Sequence, residues 1–189
     1  MYNLEVKKGT IIFIIILVLI AGFWFANKQY IFYNYGMNIT SPQFKDGGTI
    51  PCLYTCDGSG YNPPLIFDGV PKDAQSLVLI VDDPDIPDGV KQNYKIDVWD
   101  HWVVYNIPPE TTKIEENSVP AGIVGNNTAG KNAYAGMCPP DREHRYFFKL
   151  YALNTKLNLP LVVTAKDVVE AMKGNIIAEA QLMGKYQRR

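Results

Sequence analysis

Apolar and polar positions along this chain follow two distinct patterns. From Thr10 to Ala26 the run TIIFIIILVLIAGFWFA carries no charge, with Lys7 and Lys8 just before it and Phe23, Trp24 and Phe25 near its far end. Its length is near the lower limit for a helix crossing a bilayer. Basic residues before it and aromatic rings after it suit a span whose N-terminus faces the cytoplasm. The rings stand where a signal-peptidase site needs small residues, so an anchor is expected in preference to a cleaved signal. Residues 1–9 then form a cytoplasmic N-terminus, 10–26 the transmembrane anchor or signal, 27–36 a connector and 37–189 a folded domain.

Within the domain, short apolar runs alternate with turn residues. SLVLIVDD (76–83) is continuous and rich in β-branched side chains, which predicts a strand covered on both faces. HWVVYNIP (101–108) and the aromatic HRYFFKLYAL (144–153) read as further strands. IAEAQLMGKY (177–186) alternates with a period of two and predicts a closing strand. One helix signal stands out: Thr164 as a cap before AKDVVEAM, with a stop near Gly174. DGVKQNYKIDVWD (88–100) reads as a connector. Strands far apart in sequence predict a mainly β, antiparallel domain of Greek-key type with a short C-terminal helix, preceded by the N-terminal transmembrane helix.

Composition narrows the function classes. The 189 residues are 47% hydrophobic with a net charge of −1, enough for one real core. Without a Lys/Arg cluster, nucleic acid is not an expected partner. Cys52, Cys56 and Cys138 allow one disulfide with one thiol left over, or three small buried thiols. They form no CxxC pair for a thiolate zinc site, and two histidines with an aspartate, though chemically able to bind metal, fit no familiar short motif, so no metal site is expected.

The polar chemistry gathers at strand ends. Asp82, Asp83 and Asp85 follow one apolar run, and His101 and His144 open the next two strands. Neighbouring strands would bring these groups to one mouth. Tyr146 shares a face with His144, whereas Arg145 points the other way and suits a structural ion pair. Imidazoles can donate hydrogen bonds to an anion, and a carboxylate fixes their tautomer. The expected site is a pocket for a small anion. No GxSxG elbow is present and no serine pairs with either histidine, which leaves a His/Asp-dependent hydrolase as a weaker reading.

Taken together, DDPDIP (82–87), HWVVYNIP (101–108) and YAGMCPPDREHRYFFKLYALN (134–154) resemble the phosphatidylethanolamine-binding protein family in its bacterial and archaeal branch. FKDGGTIPCLYTCDG, NPPLIFDGVP and AEAQLMGKYQR extend the resemblance over about residues 38–188. It implies a β-sandwich with a small pocket that accepts phosphate-like groups and phospholipid headgroups. Carried across, the pocket comprises Asp83, His101, His144 and Tyr146, walled by Ile86, Pro87, Trp99, Ala135, Gly136, Pro139 and Pro140. Asp85 would support the loop. The family carries no general catalytic activity, so neither catalytic residues nor a cofactor is expected. Some members inhibit kinases or proteases, which makes a regulatory interaction with a protein target a second expectation. Two departures stand out: Met137 replaces the usual proline, and Arg142 stands where the family often has glycine. The expected location is extracytoplasmic, anchored through the N-terminal helix, or secreted if that segment is cleaved.

Overall fold

Strand β4 (Ser76–Asp83) is buried at every position, and its two faces account for the layers of the domain. Leu77, Leu79 and Val81 point into the core between two sheets, whereas Val78 and Ile80 point to the opposite side, beneath a helix. A strand covered on both sides has no solvent-facing positions, which is why its sequence is a continuous apolar run.

The computed structural model describes residues 36–160 and 162–188. In chain order it contains β1 (Asn38–Thr40), β2 (Gly48–Thr49), a 3-10 turn (Cys52–Tyr54), β3 (Leu65–Asp68), β4, α1 (Asp88–Tyr94), β5 (Trp99–Ile107) and β6 (Lys113–Ile114). There follow β7 (Ile123–Val124), β8 (His144–Leu153), α2 (Ala165–Met172) and β9 (Ile176–Tyr186). Six strands form one sheet in the order β2-β9-β8-β4-β5-β7, and three form another in the order β1-β3-β6. All pairings are antiparallel except β2 with β9.

The inter-sheet core joins Ile39, Leu65 and Phe67 of the small sheet to Trp102, Val104, Phe148 and Leu150 of the large one. On the outer face of the large sheet, Val103 and Tyr105 meet Ala165, Val168 and Met172 of α2. This helix starts at a capping box: Asp167 donates its backbone N–H to Thr164 Oγ1, and Thr164 donates its own to Asp167 Oδ2. In β9, Gly184 is fixed by crowding. A Cβ there would sit 2.5 Å from Ile50 Cγ1 and 2.9 Å from Phe44 Cε2.

The fold expectation needs correction on its helices. A second helix, α1, lies inside the segment expected to be a connector. It starts at Pro87 with Asp88 in its first turn and ends at Lys95 in the left-handed region, φ 54°. None of its residues is buried, so it has no apolar stripe for a periodicity reading to detect. The expected transmembrane helix also has no counterpart among the described residues. Among the described residues no helix is long and apolar enough to cross a membrane, and the stretch 10–26 lies outside them, as does most of the connector.

Candidate functional site

A β-bulge builds one side of the site. Val81 pairs with Trp102 and Asp82 with Asp100, so His101 is an extra residue on β5. The bulge breaks the alternation of the strand and re-aims the side chain. His101 and Trp102 therefore share the inner side of the sheet, and the His101 ring lies edge-on to Tyr146 at 5.4 Å between centroids.

The His101 ring is anchored by main chain. Its Nδ1 lies 2.9 Å from the Ala135 carbonyl oxygen, and the Ala135 N–H donates to the His101 carbonyl at 2.9 Å. A carbonyl only accepts, so Nδ1 carries the hydrogen. Burial pushes the ring's pKa down to about 4, with the nearby His144 acting in the same direction. His101 is thus a neutral imidazole at ordinary pH.

His144 has a different environment. It is fully buried, with Nδ1 at 2.7 Å from Asp83 Oδ2 and Nε2 at 2.8 Å from Asp141 Oδ1. Both nitrogens face carboxylate oxygens, and the imidazolium form satisfies both contacts. Asp83 Oδ1 accepts the N–H of Asp85 at 2.8 Å, closing the DPD turn. Burial raises the Asp83 pKa, against the lowering effect of His144. Asp141 is held low, chiefly by its hydrogen bond to His144. The Arg142 guanidinium spans Asp141 Oδ2 at 2.7 Å and the Asp85 carbonyl at 3.0 Å.

Tyr146 lies between the two imidazoles, its ring 6.4 Å from that of His144 at 29°. Its hydroxyl is buried and has no hydrogen-bond partner among the described residues. Burial also holds the phenol far above its usual range, so it remains a donor. Leaving a buried hydroxyl unpaired costs about 1–3 kcal/mol.

The loop before β8 is tied down at three points. Ala135 is paired with His101, Cys56 donates its backbone N–H to the Met137 carbonyl at 3.1 Å, and Cys56 is disulfide-bonded to Cys138. Gly136 passes so close to the 55–56 backbone that a Cβ would meet the Thr55 carbonyl carbon at 2.9 Å. Pro139 is buried and Pro140 exposed.

The structure brings Asp83, His101, His144 and Tyr146 together, with Ala135 hydrogen-bonded to His101. Trp99 opens β5 opposite Asp83 and packs edge-on to Tyr94 at 5.2 Å. Ile86 is buried after the DPD turn and Pro87 leads into α1. No hydrogen bond or ring contact ties Ile86, Pro87 or Pro140 to either imidazole among the described residues. Asp85 serves structure, as expected. Arg145 grips it at 2.8 and 2.7 Å, holding its pKa near about 2.

Sequence reasoning missed Asp141, whose signal was only an acidic residue three positions before His144. It also left the cysteine pairing open. The bond is Cys56–Cys138, and Cys52 is free and exposed.

The chain matches the family model described as phosphatidylethanolamine-binding protein over residues 40–187. It is 48% identical to the UPF0098 protein of Methanothermobacter thermautotrophicus over 158 residues, covering 80% of this chain and 99% of the relative. The UPF0098 protein of Chlamydia trachomatis is 45% identical over 152 residues, covering 80% and 99%. Among solved structures, a phosphatidylethanolamine-binding protein homologue from Chlamydia trachomatis superposes with a TM-score of 0.77 at 45% identity, covering 81% of this chain and 98% of that one. Escherichia coli YbcL, described as a new member of the mammalian family, gives 0.72 at 30% identity, covering 81% and 99%. With its fold, its motifs and its relatives in agreement, the chain belongs to the phosphatidylethanolamine-binding protein family.

Proposed function

We propose that the domain binds a small oxyanion, such as phosphate or a phosphate-bearing headgroup, in the pocket between His101, Tyr146 and the 135–140 loop. The observation that carries this reading is the Tyr146 hydroxyl, a buried donor with no protein acceptor. An anionic oxygen placed there would remove the cost of leaving it unpaired. His144, held between Asp83 and Asp141, braces the wall without itself needing an exposed nitrogen. The role is recognition rather than catalysis: Tyr146 donates, His101 presents its second nitrogen, and the disulfide-tied rim closes the side.

A hydrogen bond to a charged group contributes about 1.5–3 kcal/mol. Titration calorimetry of the full-length chain with inorganic phosphate is therefore expected to show binding that weakens about 10- to 100-fold in Tyr146→Phe. An unchanged affinity in that variant would sink the reading.

The Cys56–Cys138 bond supports an extracytoplasmic setting, because disulfides persist in oxidising compartments. Alkylation of the protein taken from its native cells without reductant should label one cysteine. Labelling of all three would place the domain in a reducing compartment.

A further inference from the structure

We propose that the pocket selects oxyanions that carry their own proton, hydrogen phosphate or a phosphomonoester over sulfate or a phosphodiester, and that His101 is the selecting residue. This rests on the pocket reading above and asks which anions that pocket admits.

The Ala135 carbonyl has no hydrogen to give. The ring atom facing it at 2.9 Å, His101 Nδ1, must be the N–H. A neutral imidazole has one N–H, so its other nitrogen, Nε2, is a bare lone pair. Nε2 makes no hydrogen bond to a described protein group. The residue keeps 5% of its surface exposed, and its ring lies edge-on to that of Tyr146 at 5.4 Å between centroids.

The surroundings keep the ring neutral. Burial acts first, and the titratable groups standing against it are Tyr146 and His144 of β8. The Asp83 carboxylate is engaged by His144 and the Asp85 N–H and makes no hydrogen bond to His101 among the described residues.

Between them the two rings therefore offer one donor, the Tyr146 hydroxyl, and one acceptor, His101 Nε2. A hydrogen phosphate satisfies both, receiving from Tyr146 on a bare oxygen and donating its P–OH to Nε2. Sulfate has the same shape and charge as the phosphate dianion but no proton near neutrality. It would set an anionic oxygen against a lone pair in a desolvated site, an unfavourable arrangement. Discrimination by a missing donor is sharp where a buried partner is left facing the wrong group. A phosphodiester, such as the linkage in a phospholipid headgroup, lacks the P–OH for the same reason.

The test is calorimetry on the full-length chain at pH 6 with four probes: phosphate, methyl phosphate, sulfate and dimethyl phosphate. Phosphate and methyl phosphate are expected to bind, with sulfate and dimethyl phosphate at least tenfold weaker. In His101→Gln the side-chain amide can turn an N–H toward the ligand, and sulfate should come within threefold of phosphate. Wild-type protein that binds sulfate as well as phosphate overturns the selection and leaves the pocket reading intact. Failure to bind any of the four overturns both. Tight dimethyl phosphate binding would instead point to a lipid diester as the source of the anion and also overturns the selection. The wild-type comparison decides the matter even if the glutamine variant fails to fold.

Discussion

Asp83 Oδ2 and His144 Nδ1 meet at 2.7 Å across strands β4 and β8, although 61 positions separate them in the chain. Both side chains are buried, at 3% and 0% exposure. Removing one partner of such a pair strands the other. Asp83→Ala is expected to lower stability by about 3–5 kcal/mol, and Asp83→Asn by less because its amide oxygen still accepts. Urea unfolding monitored by tryptophan fluorescence measures both. Equal, small losses would mean the pair contributes little.

The Tyr146 hydroxyl gives opposite signs for stability and binding. Without ligand, Tyr146→Phe removes an unpaired buried donor and should stabilise the fold by about 1 kcal/mol. With phosphate present, the same change removes a contact and should shrink the ligand-induced rise in Tm. Thermal melts with and without phosphate read both effects in one experiment. A variant destabilised in the absence of ligand would show that the hydroxyl is already satisfied.

His101 should contribute an acid-sensitive slope. Its pKa falls from 6.5 to about 4 in the folded state, so the unfolded chain binds the proton more readily in that window. Stability is expected to drop as pH falls from about 6.5 to about 4, by on the order of 2–3 kcal/mol. His101→Gln should remove this part of the slope. Denaturant midpoints at a series of pH values test it, and parallel curves for the two proteins would rule the assignment out.

The Cys56–Cys138 bond joins positions 82 residues apart and holds the rim loop. Replacing both cysteines by serine is expected to cost about 2–4 kcal/mol. It should also weaken phosphate binding, because the 135–140 loop loses one of its attachments. Hydrogen exchange of the 135–140 amides should quicken in the double variant. Unchanged exchange would mean that the Ala135 and Met137 main-chain contacts suffice.

Much of the scaffold was legible from residue pattern because burial writes directly into sequence. β4 and β8 fall where the apolar runs place them, and α2 starts at Thr164 because its capping box is local. α1 escaped because an exposed helix has no apolar face to display. The motifs gave Asp83, His101, His144 and Tyr146 as one group, but not how their nitrogens and oxygens are shared.

That sharing belongs to tertiary structure. Residue pattern alone set the four long strands β4, β5, β8 and β9 and the cap of α2, and picked out the few residues that carry chemistry, since these follow from periodicity and local hydrogen bonding. Only the folded molecule decided that a bulge turns His101 inward, that Ala135 fixes its tautomer and that Asp141 meets the far nitrogen of His144. It also decided that Cys56, not Cys52, binds Cys138. Each depends on atoms brought within hydrogen-bond or bonding distance by strand register, and register is set by packing of the whole sheet rather than by any short stretch.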